Sequence, residues 1–311
     1  MEEITLDTLF DRRGSFPDSD ASKRFARLIG IDEIKDRLVK SLGILVSPEG
    51  IRAWAKKFHK EDISLLAFVE RRPPLIILAG DVGTGKTELA STVGDPVSRQ
   101  EGIDVTLFPL SLATRGSGRV GEMTKLISAA FDETFQAASK LKGQRGKKAS
   151  GAVILLVDEA DALVQSRENS QMHHEDRAGV NAFIRGVDRL AEQKLPAAVI
   201  LCTNRLSAID PAVQRRAAEI FIFERPNIEQ RRFVLDAPLK EVGFKNHDVE
   251  EIVTLTGPAG DQQYGFTYSD LTQRLLPALV MTAYPSKSIS IELARSVVAS
   301  MQATAPFQEK K

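Results

Sequence analysis

Five short runs of mostly branched aliphatic residues punctuate the middle of the chain: LIILAG at Leu75 to Gly80, IDVTLFPL at Ile103 to Leu110, AVILLVD at Ala152 to Asp158, AAVILCTN at Ala197 to Asn204 and EIFIFE at Glu219 to Glu224. Near-continuous apolar runs of this kind fit strands buried on both faces, and helical patterns lie between them. The alternation predicts an α/β unit whose parallel sheet is flanked by helices. After Pro226 the pattern changes, and IEQRRFVLDAPLKEV, DVEEIVTLTG, YSDLTQRLLPALVMTAY and SIELARSVVAS read as helices with no strand between them. Before the first strand, ASKRFARLIGIDEIKDRLVKSLGILV and IRAWAKKFHKEDISLLAFVE also read as helices. What precedes them is too short for an independent core. The predicted organisation is a short N-terminal segment over 1–24, an α/β domain over 25–225, a small helical domain over 226–305 and a tail over 306–311.

Composition narrows the function classes. The chain has 311 residues, 42% of them hydrophobic, with 42 basic side chains balanced by 42 acidic ones. That balance lacks the uniform positive field of a dedicated nucleic-acid binder, so nucleic acid is not the expected partner. The start, MEEITLDTLFDRRG, has neither the basic end nor the apolar core of a signal peptide, and runs such as Val153 to Val157 are too short to span a bilayer. A cytoplasmic protein with no membrane partner is expected. The single cysteine, Cys202, allows no internal disulfide and no CxxC metal site, and its apolar surroundings place it in the core. The basic segment KLKGQRGKKAS, Lys140 to Ser150, reads as a solvated connector.

The strongest chemical signal is GDVGTGKT, Gly80 to Thr87, which fits GxxxxGK[ST] between a buried strand and a helix beginning near Lys86. Gly80, Gly83 and Gly85 let the backbone curl so that the amides from Asp81 through Thr87, including those of Val82 and Thr84, face phosphate oxygens at a helix N-terminus. Lys86 then reaches the β- and γ-phosphates, and the Thr87 hydroxyl ligates magnesium. A second signal, VILLVDEAD, ends an apolar strand in adjacent carboxylates. Alone this would be a solvated strand end. Downstream of a P-loop, Asp158 fits the magnesium shell, and Glu159 fits the carboxylate that polarises the attacking water. A third signal runs from Leu201 to Asn227. Asn204 ends a strand where it can orient that water or sense the γ-phosphate. Arg215 and Arg216 close a short helix after the Asp210-Pro211 turn. P-loop hydrolysis usually needs an added arginine against transition-state charge, and these two are the candidates.

P-loop, DE pair, TNR strand end and DPAVQRR together resemble the AAA+ ATPases over roughly residues 25 to 305. The resemblance implies an ATP/ADP site with Mg2+, Asn204 as first sensor, and Arg215 and Arg216 entering the site of a neighbouring copy in a homo-oligomeric ring, a hexamer by analogy. LIGIDEIKDRL is similar to the segment beside the adenine, which adds Ile29 and Gly30 to the nucleotide contacts, and the helical domain becomes the lid. YGFTYSDL is similar to the lid motif GxSGxDL, with Tyr268 replacing a glycine and Ser269 standing where some relatives carry a second-sensor arginine. In RGSGRVGEMTKL the step at Val120 matches the first pore loop, with Arg119 where an aromatic residue is usual. Arg115, Arg119, Val120 and, from a second loop, His173 are the implied substrate-pore residues. The whole chain is similar to the bacterial relatives of the pachytene-checkpoint ATPases, which implies remodelling of a HORMA-domain protein bound to a cGAS-like nucleotidyltransferase in anti-phage signalling. A DNA-acting ATPase such as a helicase loader, and a nucleotide-dependent scaffold, share parts of this signature.

Overall fold

The computed structural model describes residues 9–59, 63–110, 122–143, 148–160, 174–258 and 263–307. It divides into two compact units. The first comprises Met1–Ala26, Glu33–Ala79 and Thr87–Ile222; the second comprises Arg27–Asp32, Gly80–Lys86 and Phe223–Lys311.

The first unit is built on a six-stranded sheet. Its strands are β1 (Gly14–Phe16), β2 (Leu75–Gly80), β3 (Asp104–Pro109), β4 (Gly151–Val157), β5 (Ala197–Thr203) and β6 (Glu219–Phe223), in the order β1-β3-β4-β5-β2-β6. All five predicted strands are present. Strand β3 pairs in parallel with β4, β4 with β5, and β5 with β2. The sheet also gains a strand that the sequence did not announce: β1 runs antiparallel to β3, with Gly14 opposite Leu107. Its three residues, GSF, are too few to carry a period.

Residues of alternate parity explain why the central strands are apolar throughout. Leu75, Ile77, Val153, Leu155, Val199 and Leu201 join one core cluster, with residues from α7 (Glu122–Leu141) and α8 (His174–Glu192). Ile76, Leu78, Ile154, Ile200 and Cys202 are equally buried outside that cluster, so both sheet faces are covered. Phe131 and Phe183 meet edge to face, with ring centroids 5.4 Å apart. Truncating a fully buried residue such as Leu155 to alanine should cost about 2–5 kcal/mol. Further helices of this unit are α1 (Ser19–Ala26), α2 (Asp32–Val46), α3 (Pro48–His59), α4 (Leu65–Glu70), α5 (Lys86–Thr92), α6 (Gly94–Glu101) and the short α9 (Pro211–Gln214).

The two long helical patterns before β2 are each interrupted. No helix covers Arg27 to Ile31, where Gly30 takes a φ of 78° and Ile29 packs on the core of the second unit. That core is formed by α10 (Ile228–Glu241), α11 (Asn246–Leu255), a π-helical turn at Asp270–Leu275, α12 (Leu276–Ala283) and α13 (Ile291–Ser300). Asn227 and Gln230 start α10 with reciprocal capping bonds. As predicted, helices and no strand follow Pro226 among the described residues.

Candidate functional site

In the second unit the phosphate-binding turn is shaped by its glycines. Gly80 has φ 150°, and a Cβ there would stand 2.1 Å from the Phe223 carbonyl oxygen. Gly83 has φ 75°, and its Cβ would meet the Thr267 hydroxyl at 2.7 Å. At Gly80 any larger residue would have to shift backbone, and at Gly83 it would be strained and crowd the Thr267 side chain, so a curled loop is built into the sequence. The Thr84 hydroxyl donates to the Asp81 carbonyl at 2.8 Å. The buried Lys86 ammonium donates to the carbonyls of Gly80 and Asp81, both at 2.7 Å. A positive-φ glycine cradle with a lysine ammonium bonded to its carbonyls fits the phosphates of a nucleotide. Val82 is exposed, and Gly85 has φ 95°.

Two sides of the second unit hold this turn. The Arg225 guanidinium lies 2.6 Å from the Asp81 carboxylate, and both side chains are largely buried. The Ser269 N–H donates to the Gly83 carbonyl at 3.0 Å. On the segment before α2, Gln230 Nε2 donates to the Gly30 carbonyl at 2.6 Å, and a Cβ on Gly30 would lie 2.6 Å from the Tyr268 hydroxyl. That hydroxyl is buried with no hydrogen-bond partner among the described residues. Burial pushes its pKa up to about 12, and the Asp32 carboxylate adds to the shift. Thus Gly30, Gly83, Tyr268 and Ser269, which the sequence scatters, are brought together within one unit.

In the first unit Thr87 is the second residue of α5 and is exposed. Asp158 and Glu159 follow β4 directly, and Asn204 follows β5. Because Val157 stands opposite Leu201 in a parallel pair, both strands deliver these polar residues from one edge of the sheet. Glu159 is exposed and has φ 50°, unusual for a residue with a side chain, and its N–H donates to Asp158 Oδ1 at 2.9 Å. Backbone strain of this kind collects at functional positions.

Arg215 and Arg216 close α9, whose N-cap Asp210 accepts from the Ala212 N–H. They differ in surroundings. Arg216 grips Asp188 on α8 with Nε to Oδ1 at 2.8 Å and Nη2 to Oδ2 at 3.1 Å. Arg216, which the resemblance sends to the site of a neighbouring copy, thus has a partner in its own chain. Arg215 is exposed and makes no side-chain bond among the described residues. The pore candidates Arg115, Arg119, Val120 and His173 lie outside the described residues. At the ends of the basic connector, Lys142 and Lys148 donate to the backbone carbonyls of Gln193 and Glu101.

Sequence reasoning missed Arg225 and Asp188. Arg225 sits beside Pro226 in FERPN, where no spacing rule links it to a residue so far back as Asp81. Asp188 lies within an amphipathic helix and reads as solvated.

Residues 76–225 match the model of the ATPase family associated with various cellular activities (AAA). The chain is 62% identical over 307 residues to CD-NTase-associated protein 6 of Escherichia coli strain MS 115-1, covering 99% of this chain and 98% of that protein. Among solved structures it matches a chain of the E. coli MS115-1 HORMA:CdnC:Trip13 complex, with a TM-score of 0.90, 61% identity and coverage of 98% of this chain and 99% of that one. A Rhizobiales Trip13 structure matches with a TM-score of 0.76 and 51% identity over 96% of this chain and 100% of that one. The chain belongs to the CD-NTase-associated protein 6 family of AAA ATPases. Membership carries nucleotide binding and ATP hydrolysis with it. No described helix is long and apolar enough to cross a membrane.

Proposed function

We propose that the chain is an ATP-driven remodeller that opens a HORMA-domain protein bound to a cGAS-like nucleotidyltransferase, and so switches off second-messenger synthesis in anti-phage defence. The observation that carries this reading is the near full-length match, at 61% identity, to a chain solved in a HORMA:CdnC:Trip13 complex. In this reading the amides of Asp81 to Thr87 and the Lys86 ammonium bind the phosphates. The Thr87 hydroxyl and Asp158 hold Mg2+, which offsets phosphate charge when bound. Glu159 takes the proton of the attacking water, and Asn204 orients that water. Arg215 extends into the site of the next copy in a ring, a hexamer by family analogy, while Arg216 holds α9 to α8 through Asp188. Ile29 and Gly30 border the nucleotide's base. Arg115, Arg119, Val120 and His173 line the channel that draws on an extended segment of the partner.

The test uses one preparation of the full chain with the HORMA protein and nucleotidyltransferase from the same source. ATP turnover should rise on adding the HORMA complex, and the complex should come apart only with hydrolysable ATP. Arg119→Ala should keep nucleotide binding while losing both partner stimulation and disassembly. Stimulation by DNA in place of the protein complex, with salt-dependent DNA binding, would move the chain to the DNA-acting class.

A further inference from the structure

The glycine-rich loop is held by Arg225 and Ser269, which lie far from it in sequence. Asp81, second residue of the loop, has three constraints. Its carboxylate accepts the Val82 N–H at 2.9 Å and the Arg225 guanidinium, with Nε at 2.7 Å. Its carbonyl accepts the Lys86 ammonium. Arg225 uses its remaining donors on two backbone carbonyls, Gly265 at 2.8 Å and Thr304 at 2.6 Å. The face of Tyr264 also lies 5.3 Å from the guanidinium carbon.

Thr304 belongs to the extended segment after α13 and is itself anchored. Its N–H and hydroxyl donate to the two oxygens of the fully buried Asp270 at 3.0 and 2.7 Å. Asp270 also accepts the Thr267 N–H at 3.0 Å, and Arg274 donates to it at 2.6 Å. Burial pushes the Asp270 carboxyl up, but these bonds outweigh burial and hold it below the usual carboxylate range. From Ser269, between Thr267 and Asp270, the chain returns to the Gly83 carbonyl. The circuit Asp81–Arg225–Thr304–Asp270–Ser269–Gly83 therefore closes on the phosphate loop at both ends, entirely within the second unit.

We infer that Arg225 is a positioning residue for ATP binding: it fixes Asp81, whose carbonyl seats the Lys86 ammonium, and the C-terminal segment at Thr304 completes its hold. A planar fork satisfied on three sides suits this task, because an ammonium cannot make all these bonds at once. This role rests on the phosphate-binding reading of the loop. Its ligand is the nucleotide's phosphate chain.

The test measures fluorescent ATP and ADP affinity, KM, kcat and the unfolding midpoint of the full chain. Wild type and Lys86→Ala serve as references. Arg225→Ala should weaken ATP binding by about tenfold, appearing in KM more than in kcat, since charge-assisted bonds are among the stronger ones. Arg225→Lys should recover part of the loss. Asp81→Asn should also weaken binding, and adding it to Arg225→Ala should cost less than about twofold more, because the two act through one link. Should Arg225→Ala fail to fold, Asp81→Asn alone carries the comparison. A lowered unfolding midpoint with ATP affinity within twofold of wild type, in both Arg225→Ala and Asp81→Asn, would make the pair merely structural and overturn the inference. If instead Lys86→Ala bound ATP as wild type does, the phosphate-loop reading itself would fail.

Discussion

Glu159 offers a perturbation in which stability and chemistry should move in opposite directions. Its φ of 50° puts a residue with a side chain in the left-handed region, which costs about 1–2 kcal/mol through contact of Cβ with the carbonyl oxygen. The side chain is exposed, so removing it sacrifices little packing. Glu159→Ala keeps the strained Cβ, whereas Glu159→Gly removes it at the expense of about 0.4–1 kcal/mol of extra unfolded-chain entropy. The difference leaves the glycine variant more stable than the alanine variant by about 0.5–1 kcal/mol. Both should lose ATP turnover by orders of magnitude, because neither can polarise the attacking water, while Glu159→Gln should still bind nucleotide. Equilibrium urea unfolding of the three variants at equal slope, beside steady-state phosphate release, measures both effects. An alanine variant as stable as the glycine variant would remove the strain argument. Near-normal turnover in any of the three would remove Glu159 from the chemistry.

Other outcomes are equally open to measurement. Lys86→Ala should weaken ATP binding at least about tenfold, because its ammonium is a charged donor within the proposed phosphate cradle; unchanged affinity in a titration would disprove the cradle. Mixing Arg215→Ala subunits with Glu159→Gln subunits should restore some turnover that neither parent has, and no recovery in verified mixed rings would count against an arginine acting in trans. Tyr268→Phe removes a buried hydroxyl that has no partner among the described residues, so the unfolding free energy should hold or rise by about 1 kcal/mol, whereas a loss would reveal a bond to that hydroxyl. The folded chain keeps the Tyr268 proton up to about pH 12, while the unfolded chain releases it near 10. Stability should therefore fall as pH rises through that window, and the slope should flatten in Tyr268→Phe.

Much of the fold is legible in the sequence. Strands buried on both faces write themselves as unbroken aliphatic runs, so β2, β4 and β5 could be placed to within a residue or two. Strand β1 could not, because three residues at an antiparallel edge leave no period to read. The interruption at Arg27 to Ile31 was hidden for a related reason: Ile29 fits a helical apolar stripe, yet it packs on residues more than two hundred positions away. Motif spacing was enough to single out the P-loop and the DE pair as candidates, since each is contiguous in sequence. Arg225, by contrast, acts through a pair 144 residues apart in sequence. Local reading has no means of joining such partners, and only folding does so.

The two arginines at the end of α9 show the same limit at the shortest range. As neighbours in RRAAE they are indistinguishable by composition, and both were assigned to a neighbouring copy. The short helix turns them apart. Arg216 faces α8, where its fork meets both oxygens of Asp188 and one nitrogen also reaches the Ala212 carbonyl. With both side chains partly exposed, that pair contributes under about 1 kcal/mol, enough to orient α9 without defining the fold. Arg215 is left facing solvent, ending a helix that Asp210 caps at its other end. A guanidinium meant for another subunit has to be free of its own chain's carboxylates, or its charge is already spent when transition-state charge develops. Among the described residues Arg215 meets that requirement, whereas Arg216 does not. On the proposed reading, the motif supplies one arginine that reaches outward and one that aims it.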